Sequence, residues 1–177
     1  MTEEVICAGF GGQGIMLLGK FIAFGSMKNG LSVTWMPSYG AEVRGGTAHS
    51  MVVVSDEEVA SPIISFCDTA IMMNKPSLDR FGPRVRSGGT LLINSSLIED
   101  DIKRKDINIL RIPMTDIAHM LGNVKAANMV ALGAYMRQKN LFPKDIVFDG
   151  IEIAFPGKQE LIDINKQAVE EGLKIDG

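Results

Sequence analysis

The segment that most restricts what this chain can become is Gly9-Phe10-Gly11-Gly12-Gln13-Gly14. An apolar run, Val5-Ile6-Cys7-Ala8, leads into it and a helical pattern leads out. In that pattern Ile15, Leu18 and Ile22 recur every three or four residues, with Gly19 on the same face. Strand, glycine turn and helix in that order specify a βα unit. Glycine accepts positive φ and lets other groups come close to the backbone. A glycine turn that opens a helix also aims unpaired N–H groups and the positive end of the helix dipole outward, which suits an anion such as phosphate. Gly11, Gly12, Gln13 and Gly14 are therefore candidate contacts for an anionic group. Gln13 either donates to a ligand oxygen or caps the turn.

A second glycine-rich segment, Ser38-Tyr39-Gly40-Ala41-Glu42-Val43-Arg44-Gly45-Gly46-Thr47, follows the next apolar run, Leu31–Met36, which Pro37 is expected to end. Tyr39 offers a ring and a hydroxyl. Glu42 and Arg44 carry opposite charges, and Gly45 and Gly46 permit close approach. A surface ion pair between Glu42 and Arg44 would contribute only about 0–1 kcal/mol. Ten residues of this composition between two buried strands are nonetheless more than a connection requires. Two such loops after successive strands would share one edge of the sheet, where open α/β folds bind ligands.

The remaining pattern alternates strands with helices. Strands are expected at Glu4–Phe10, Thr47–Ser55, Thr69–Met73, Thr90–Asn94 and Ile107–Ile112, the last stopped by Pro113. Helices are expected at Gly14–Asn29, Lys75–Phe81, from a Thr115 cap to Leu121, Ala126–Gln138, Asp145–Ala154 and Gln159–Glu171, with a turn at Gly88-Gly89. The run from Thr47 is apolar on both faces, so it should be covered on both. The helix around Met129–Ala134 is small or apolar all round, which places it inside the fold or against a partner. The class that follows is α/β: a three-layer fold with a mostly parallel central sheet, helices on both faces and a Rossmann-like first βαβ unit. The 177 residues read as a single domain, 1–177, with 156–177 as a C-terminal helical extension.

Charge and composition narrow the function. A net charge of −3 without a basic block argues against nucleic acid. The mixed-charge run from Asp100 to Asp106 reads as a solvated connection. No basic leader and no stretch of about 18 apolar residues is visible, so a cytoplasmic setting away from membranes is expected. The two cysteines, Cys7 and Cys67, read as buried thiols. They cannot supply the four thiolates of an iron–sulfur cluster, and no spacing suggests zinc. His49 and His119 have no neighbouring nucleophile to activate and read as structural. No catalytic or metal-ligating residue is assigned. Gly9-x-Gly11-x-x-Gly14 has the dinucleotide spacing, but a nicotinamide site needs an acid about 20 residues on, closing the second strand. Here that strand ends Thr34-Trp35-Met36-Pro37-Ser38, without one.

Taken together, the segments 9–14 and 38–47 resemble the gamma subunit of 2-oxoacid:ferredoxin (acceptor) oxidoreductases. Asn74-Lys-Pro-Ser-Leu-Asp-Arg-Phe, Gly88-Gly-Thr-Leu-Leu-Ile-Asn and Asn128-Met-Val-Ala-Leu-Gly-Ala extend the resemblance over about residues 4 to 155. Residues 36–65 are more similar to the 2-oxoglutarate and branched-chain types than to the pyruvate type. The resemblance implies one subunit of an EC 1.2.7 enzyme that converts a 2-oxoacid to an acyl-CoA. Thiamine diphosphate, Mg2+ and iron–sulfur clusters would sit in companion alpha and beta subunits, with a ferredoxin-like delta subunit possible, and electrons would pass to ferredoxin. The chain lacks the Gly-Asp-Gly segment that holds magnesium diphosphate in thiamine enzymes. It would scaffold the complex, be inactive alone and help form the coenzyme A site. Gly11, Gly12, Gln13, Gly14, Tyr39, Glu42, Arg44, Gly45 and Gly46 would touch coenzyme A or the partners. Isolated, it should pair as a homodimer through the helix at 129–134 and the loop at 38–47. A free-standing Rossmann-like nucleotide-binding oxidoreductase and a purely structural subunit are the alternatives.

Overall fold

The computed structural model describes residues 1–39 and 47–176. The elements run β1 (Thr2–Phe10), α1 (Ile15–Lys28), β2 (Ser32–Tyr39), β3 (Thr47–Ser55), β4 (Cys67–Met72), α2 (Lys75–Phe81), β5 (Val85–Asn94), β6 (Asn108–Ile112), α3 (Met114–Met120), α4 (Ala127–Lys139), α5 (Lys144–Ala154) and α6 (Gln159–Leu173). The strands form one six-stranded sheet in the order β2-β3-β1-β4-β5-β6. β1, β4, β5 and β6 pair in parallel, whereas β3 is antiparallel to both β1 and β2.

The sheet is thus mostly parallel, with one reversal that splits the first βαβ unit. β1 and β2 point the same way, but β3 lies between them. An antiparallel neighbour needs only a short connection.

Alternation along each strand divides the core in two. Val5, Cys7, Val52, Val54, Ile71 and Leu92 face α1 and α3 to α6. Ile6, Ala8, Met51, Val53, Ala70, Met72 and Leu91 face the other way, under Leu78 and Phe81 of α2 and under Ile64 and Ile98 from irregular segments. Helices therefore cover both faces, unequally. β3 is apolar on both sides, as its sequence requires, although it is the antiparallel strand.

Several local expectations change. β2 does not stop at Pro37 but runs to Tyr39. It is an edge strand, where a residue without an N–H is tolerated. Gly88 and Gly89 do not separate elements. They lie inside β5 as an irregularity, opposite a register shift between Cys67 and Thr69. Gly88 has φ 81°, and a Cβ on Gly89 would stand 2.7 Å from the Asp68 carbonyl oxygen. Thr115 does not cap α3, whose N-cap is Pro113. Its hydroxyl instead accepts a hydrogen bond from Asn94 Nδ2 at 2.8 Å.

The helix at 129–134 is not a partner surface. Every residue of α4 from Ala127 to Met136 is buried, and its main contacts are α6, α3 and α1. That removes the helical half of the basis for a homodimer. α6 packs into the same core through Ile162, Ala168 and Val169.

Candidate functional site at the carboxyl rim of the sheet

The β1–α1 turn is held by its own side chains. Gly12 and Gly14 have φ of 101° and 72°, and Gly14 is the N-cap of α1, with no side-chain cap. Gln13 N–H donates to the Phe10 carbonyl at 3.1 Å. The Gln13 side chain reaches back: its Oε1 accepts from Phe10 N–H at 2.7 Å and its Nε2 donates to the Met73 carbonyl at 3.2 Å. Of the two roles read from sequence, the side chain takes the turn-closing one. It also ties the first turn to the β4–α2 turn. Gly9 must be glycine for this arrangement, because a Cβ there would lie 2.5 Å from Gln13 Oε1 and 2.9 Å from Met73 Cβ.

Three asparagines continue the network, and sequence reading assigned them no role at the rim. Asn74 caps α2, its Oδ1 accepting from Ser77 N–H at 2.9 Å, and its Nδ2 lies 3.4 Å from Gln13 Oε1. Asn94, at the end of β5, donates to Thr115 and accepts from Thr115 N–H at 3.3 Å. Asn128, on α4, donates to the Gly14 carbonyl at 3.1 Å. All three are buried. Their signal was available: each stands at or just after the end of a strand or near the start of a helix, where amide side chains satisfy backbone groups. Together they lock the loops that follow β1, β4 and β5 with the first turn of α4.

Within this rim lies a cleft of about 200 Å³ lined by Gly12, Gln13, Met73, Leu97, Thr115, Val124, Lys125 and Ala127. It sits outside the carboxyl ends of parallel strands, beside a glycine turn, where open α/β sheets take ligands. Lys125 brings a cation to it, and no sequence argument singled that residue out.

The second segment reaches the same rim at its ends. Tyr39 pairs with Ala48, and Ala48 with Gly9; Thr47 pairs with Phe10. Tyr39 therefore stands level with Gly9 two strands away, about 10 Å by ordinary strand spacing. It is 59% exposed, which leaves its ring open to a ligand or a protein. Glu42, Arg44, Gly45 and Gly46 lie outside the described residues. Gly11 sits beside Gly12 in the first turn, half-buried.

Both thiols are buried, Cys7 towards α1 and Cys67 towards α2. Burial pushes the Cys67 thiol up to about 12, and Cys7 is raised further still. Neither can act as a nucleophile near neutrality.

The family model of pyruvate ferredoxin/flavodoxin oxidoreductase matches residues 4–175. The chain belongs to that family. Relatives include the ketoisovalerate oxidoreductase subunit VorA of Methanothermobacter marburgensis, 37% identical over 96% of this chain. The 2-oxoglutarate synthase subunit KorC of the same organism is 35% identical over 76% of each chain. These are the branched-chain and 2-oxoglutarate types that the sequence resembled. The chain spans about a third, 35%, of the length of VorA. Among solved structures, the gamma subunit of a keto/oxoacid ferredoxin oxidoreductase from Geobacter sulfurreducens PCA aligns with TM-score 0.82 and 26% identity, over 97% of this chain and 96% of that one. The 2-oxoglutarate:ferredoxin oxidoreductase of Magnetococcus marinus, with 2-oxoglutarate, coenzyme A and succinyl-CoA bound, aligns with TM-score 0.89 and 26% identity, over 97% of this chain and 30% of that one.

Proposed function

We propose that this chain is the gamma subunit of a cytoplasmic 2-oxoacid:ferredoxin oxidoreductase, inactive alone, and that its carboxyl rim forms part of the path taken by coenzyme A. One observation carries the reading: almost the whole chain aligns with part of an enzyme whose structure holds coenzyme A and succinyl-CoA. The rim supports it chemically. It combines the glycine turn at the N-terminus of α1, Lys125 beside the cleft and the exposed Tyr39 ring. Gly11, Gly12 and Gly14 would present backbone to the ligand, with Gln13 holding their geometry. Tyr39, Glu42, Arg44, Gly45 and Gly46 would line the second side or meet a partner chain.

The residues of this chain do not fit an iron–sulfur cluster, because its two thiols are buried towards opposite faces of the sheet. On this reading thiamine diphosphate, Mg2+ and the clusters would be carried by companion alpha and beta subunits, with a ferredoxin-like delta subunit as a further companion. The nicotinamide alternative is weaker than the glycine spacing suggests. β3 separates β2 from β1, so the end of β2 is not beside the glycine turn.

In the assembled enzyme, Lys125→Ala and Arg44→Ala should each raise the KM for coenzyme A about tenfold, the effect of losing one charge-assisted contact. The KM for the 2-oxoacid should not move. An intact complex with an unaltered coenzyme A KM in both variants would remove the rim from the path. Micromolar binding of NADH by the isolated chain would favour the nucleotide-binding alternative.

A further inference from the structure

The two faces of the sheet are not equally finished. Towards α1, helices cover the sheet from β2 to β6. On the other face α2 covers β1 and β4, while, among the described residues, Met36 of β2 and Met51 of β3 lie beside the irregular segment 56–66 and Arg84. What remains is an open groove of about 470 Å³ along Met36, Ile63, Phe66 and Arg84. Ile63 is 66% and Phe66 57% exposed, which is unusual for two large apolar side chains so close in sequence.

The border of this groove is cationic. Arg80 and Arg84 lie against the buried Phe81 ring, their guanidinium carbons 5.0 and 5.2 Å from its centroid. Among the described residues neither guanidinium has a carboxylate within ion-pair distance, although Lys75, Arg86, Arg104, Arg111 and Arg137 all bond oxygen acceptors. His49, tilted against the same ring at 5.0 Å, has its pKa lowered below the ordinary imidazole value by burial and by those two cations. In a chain of net charge −3, two guanidiniums without a carboxylate partner among the described residues, beside exposed apolar side chains, suit an acidic and apolar complement.

We propose that this face docks a companion polypeptide through a segment that sets a large apolar side chain against Ile63 and Phe66 and carboxylates against Arg80 and Arg84. A polypeptide is favoured because the relatives' proportions leave one to be accommodated. The matching region is only 35% of VorA and 30% of the Magnetococcus marinus chain, so in both it is continuous with additional polypeptide. That the companion is another subunit of a 2-oxoacid oxidoreductase rests on the functional reading above; the docking surface does not.

The test uses the complex purified with its companion chains and the isolated chain beside it. Hydrogen exchange at residues 34–38, 61–66 and 80–84 should slow at least tenfold in the complex. The double variant Arg80→Glu/Arg84→Glu should co-purify with companions at least tenfold less well, while its isolated chain melts with the wild type. Arg80→Lys/Arg84→Lys should assemble. Equal exchange in complex and isolated chain would overturn the proposal, as would normal assembly of the charge-reversed variant. A dimer of the isolated chain that protects the same segments and is lost on charge reversal would assign the face to a second copy and also overturn it. Companions identified as unrelated to 2-oxoacid oxidation, yet protecting this face, would sink the functional reading and leave the surface standing. An active oxidoreductase complex with the face unprotected would do the reverse.

Discussion

Gly133→Ala should destabilise the chain by about 3 kcal/mol or more, although the same exchange in an ordinary helix stabilises by about 1 kcal/mol. The sign reverses because of what stands opposite. α4 and α6 cross with backbone against backbone. A Cβ on Gly133 would run into the Val169 carbonyl oxygen and come within 2.9 Å of Gly172 Cα. From the other side, a Cβ on Gly172 would meet the Val130 carbonyl oxygen and stand 2.7 Å from Ala134 N. Main chain cannot turn aside as a flexible side chain can, so the helices must separate. Separation would open the packing of Val130 and Ala134 against Ala168 and Val169. Gly172→Ala should cost about as much. Gly30→Ala is the contrast: φ is 85° and nothing lies within 4 Å, so only backbone strain of about 1–2 kcal/mol is expected. Urea unfolding of the three variants measures all of this. Neutral or stabilising results at Gly133 and Gly172 would mean that the helices do not meet as described.

That crossing also shows where sequence reading stops. The all-apolar pattern of α4 established that the helix had to be covered, but not by what. The cover is α6, which lies within the stretch 156–177 read from sequence as a C-terminal helical extension. Helix and strand periodicity, by contrast, located β3 and α2 at their observed ends, since both are bounded by polar or turn residues. Pro37 misled because a proline ends a strand only when both of its edges are paired, and pairing order is not a local property. The same ignorance of strand order hid β3 between β1 and β2.

The candidate rim was legible in part. Glycines announce turns, and the turn at 9–14 folds as its composition requires. Asn74, Asn94 and Asn128 were not found, because a buried amide is defined by the loops it joins, and those come from four distant parts of the chain. Lys125 follows the same logic: only the docking of α4 beside the first turn brings it to the cleft.

Lys139→Met should produce the largest pH-dependent loss, about 3 kcal/mol at pH 8, the usual cost of stranding one charge of a buried pair. Lys139 Nζ lies 3.1 Å from Glu3 Oε2, while Glu3 Oε1 accepts from the Thr69 hydroxyl at 2.6 Å. Glu3 is 7% exposed. Burial raises its pKa above the ordinary value of 4.5, and the Thr69 and Lys139 contacts only partly offset that. A folded-state pKa above the unfolded one means that folding favours the protonated acid. The stability Glu3 contributes is therefore complete below about pH 4.5 and is lost as pH rises through its folded value. Removing Lys139 takes away a cation that moderates this, so the folded pKa rises further and the loss deepens towards pH 8. The variant should approach the wild type in acid, where Glu3 is neutral in both. Glu3→Gln should flatten the pH dependence of both backgrounds and remove most of the Lys139→Met penalty. Unfolding free energies at pH 4 and pH 8 for the four combinations decide the matter. A penalty for Lys139→Met that is equal at both pH values, or that survives in the Glu3→Gln background, would assign Lys139 a packing role through its methylene stem instead.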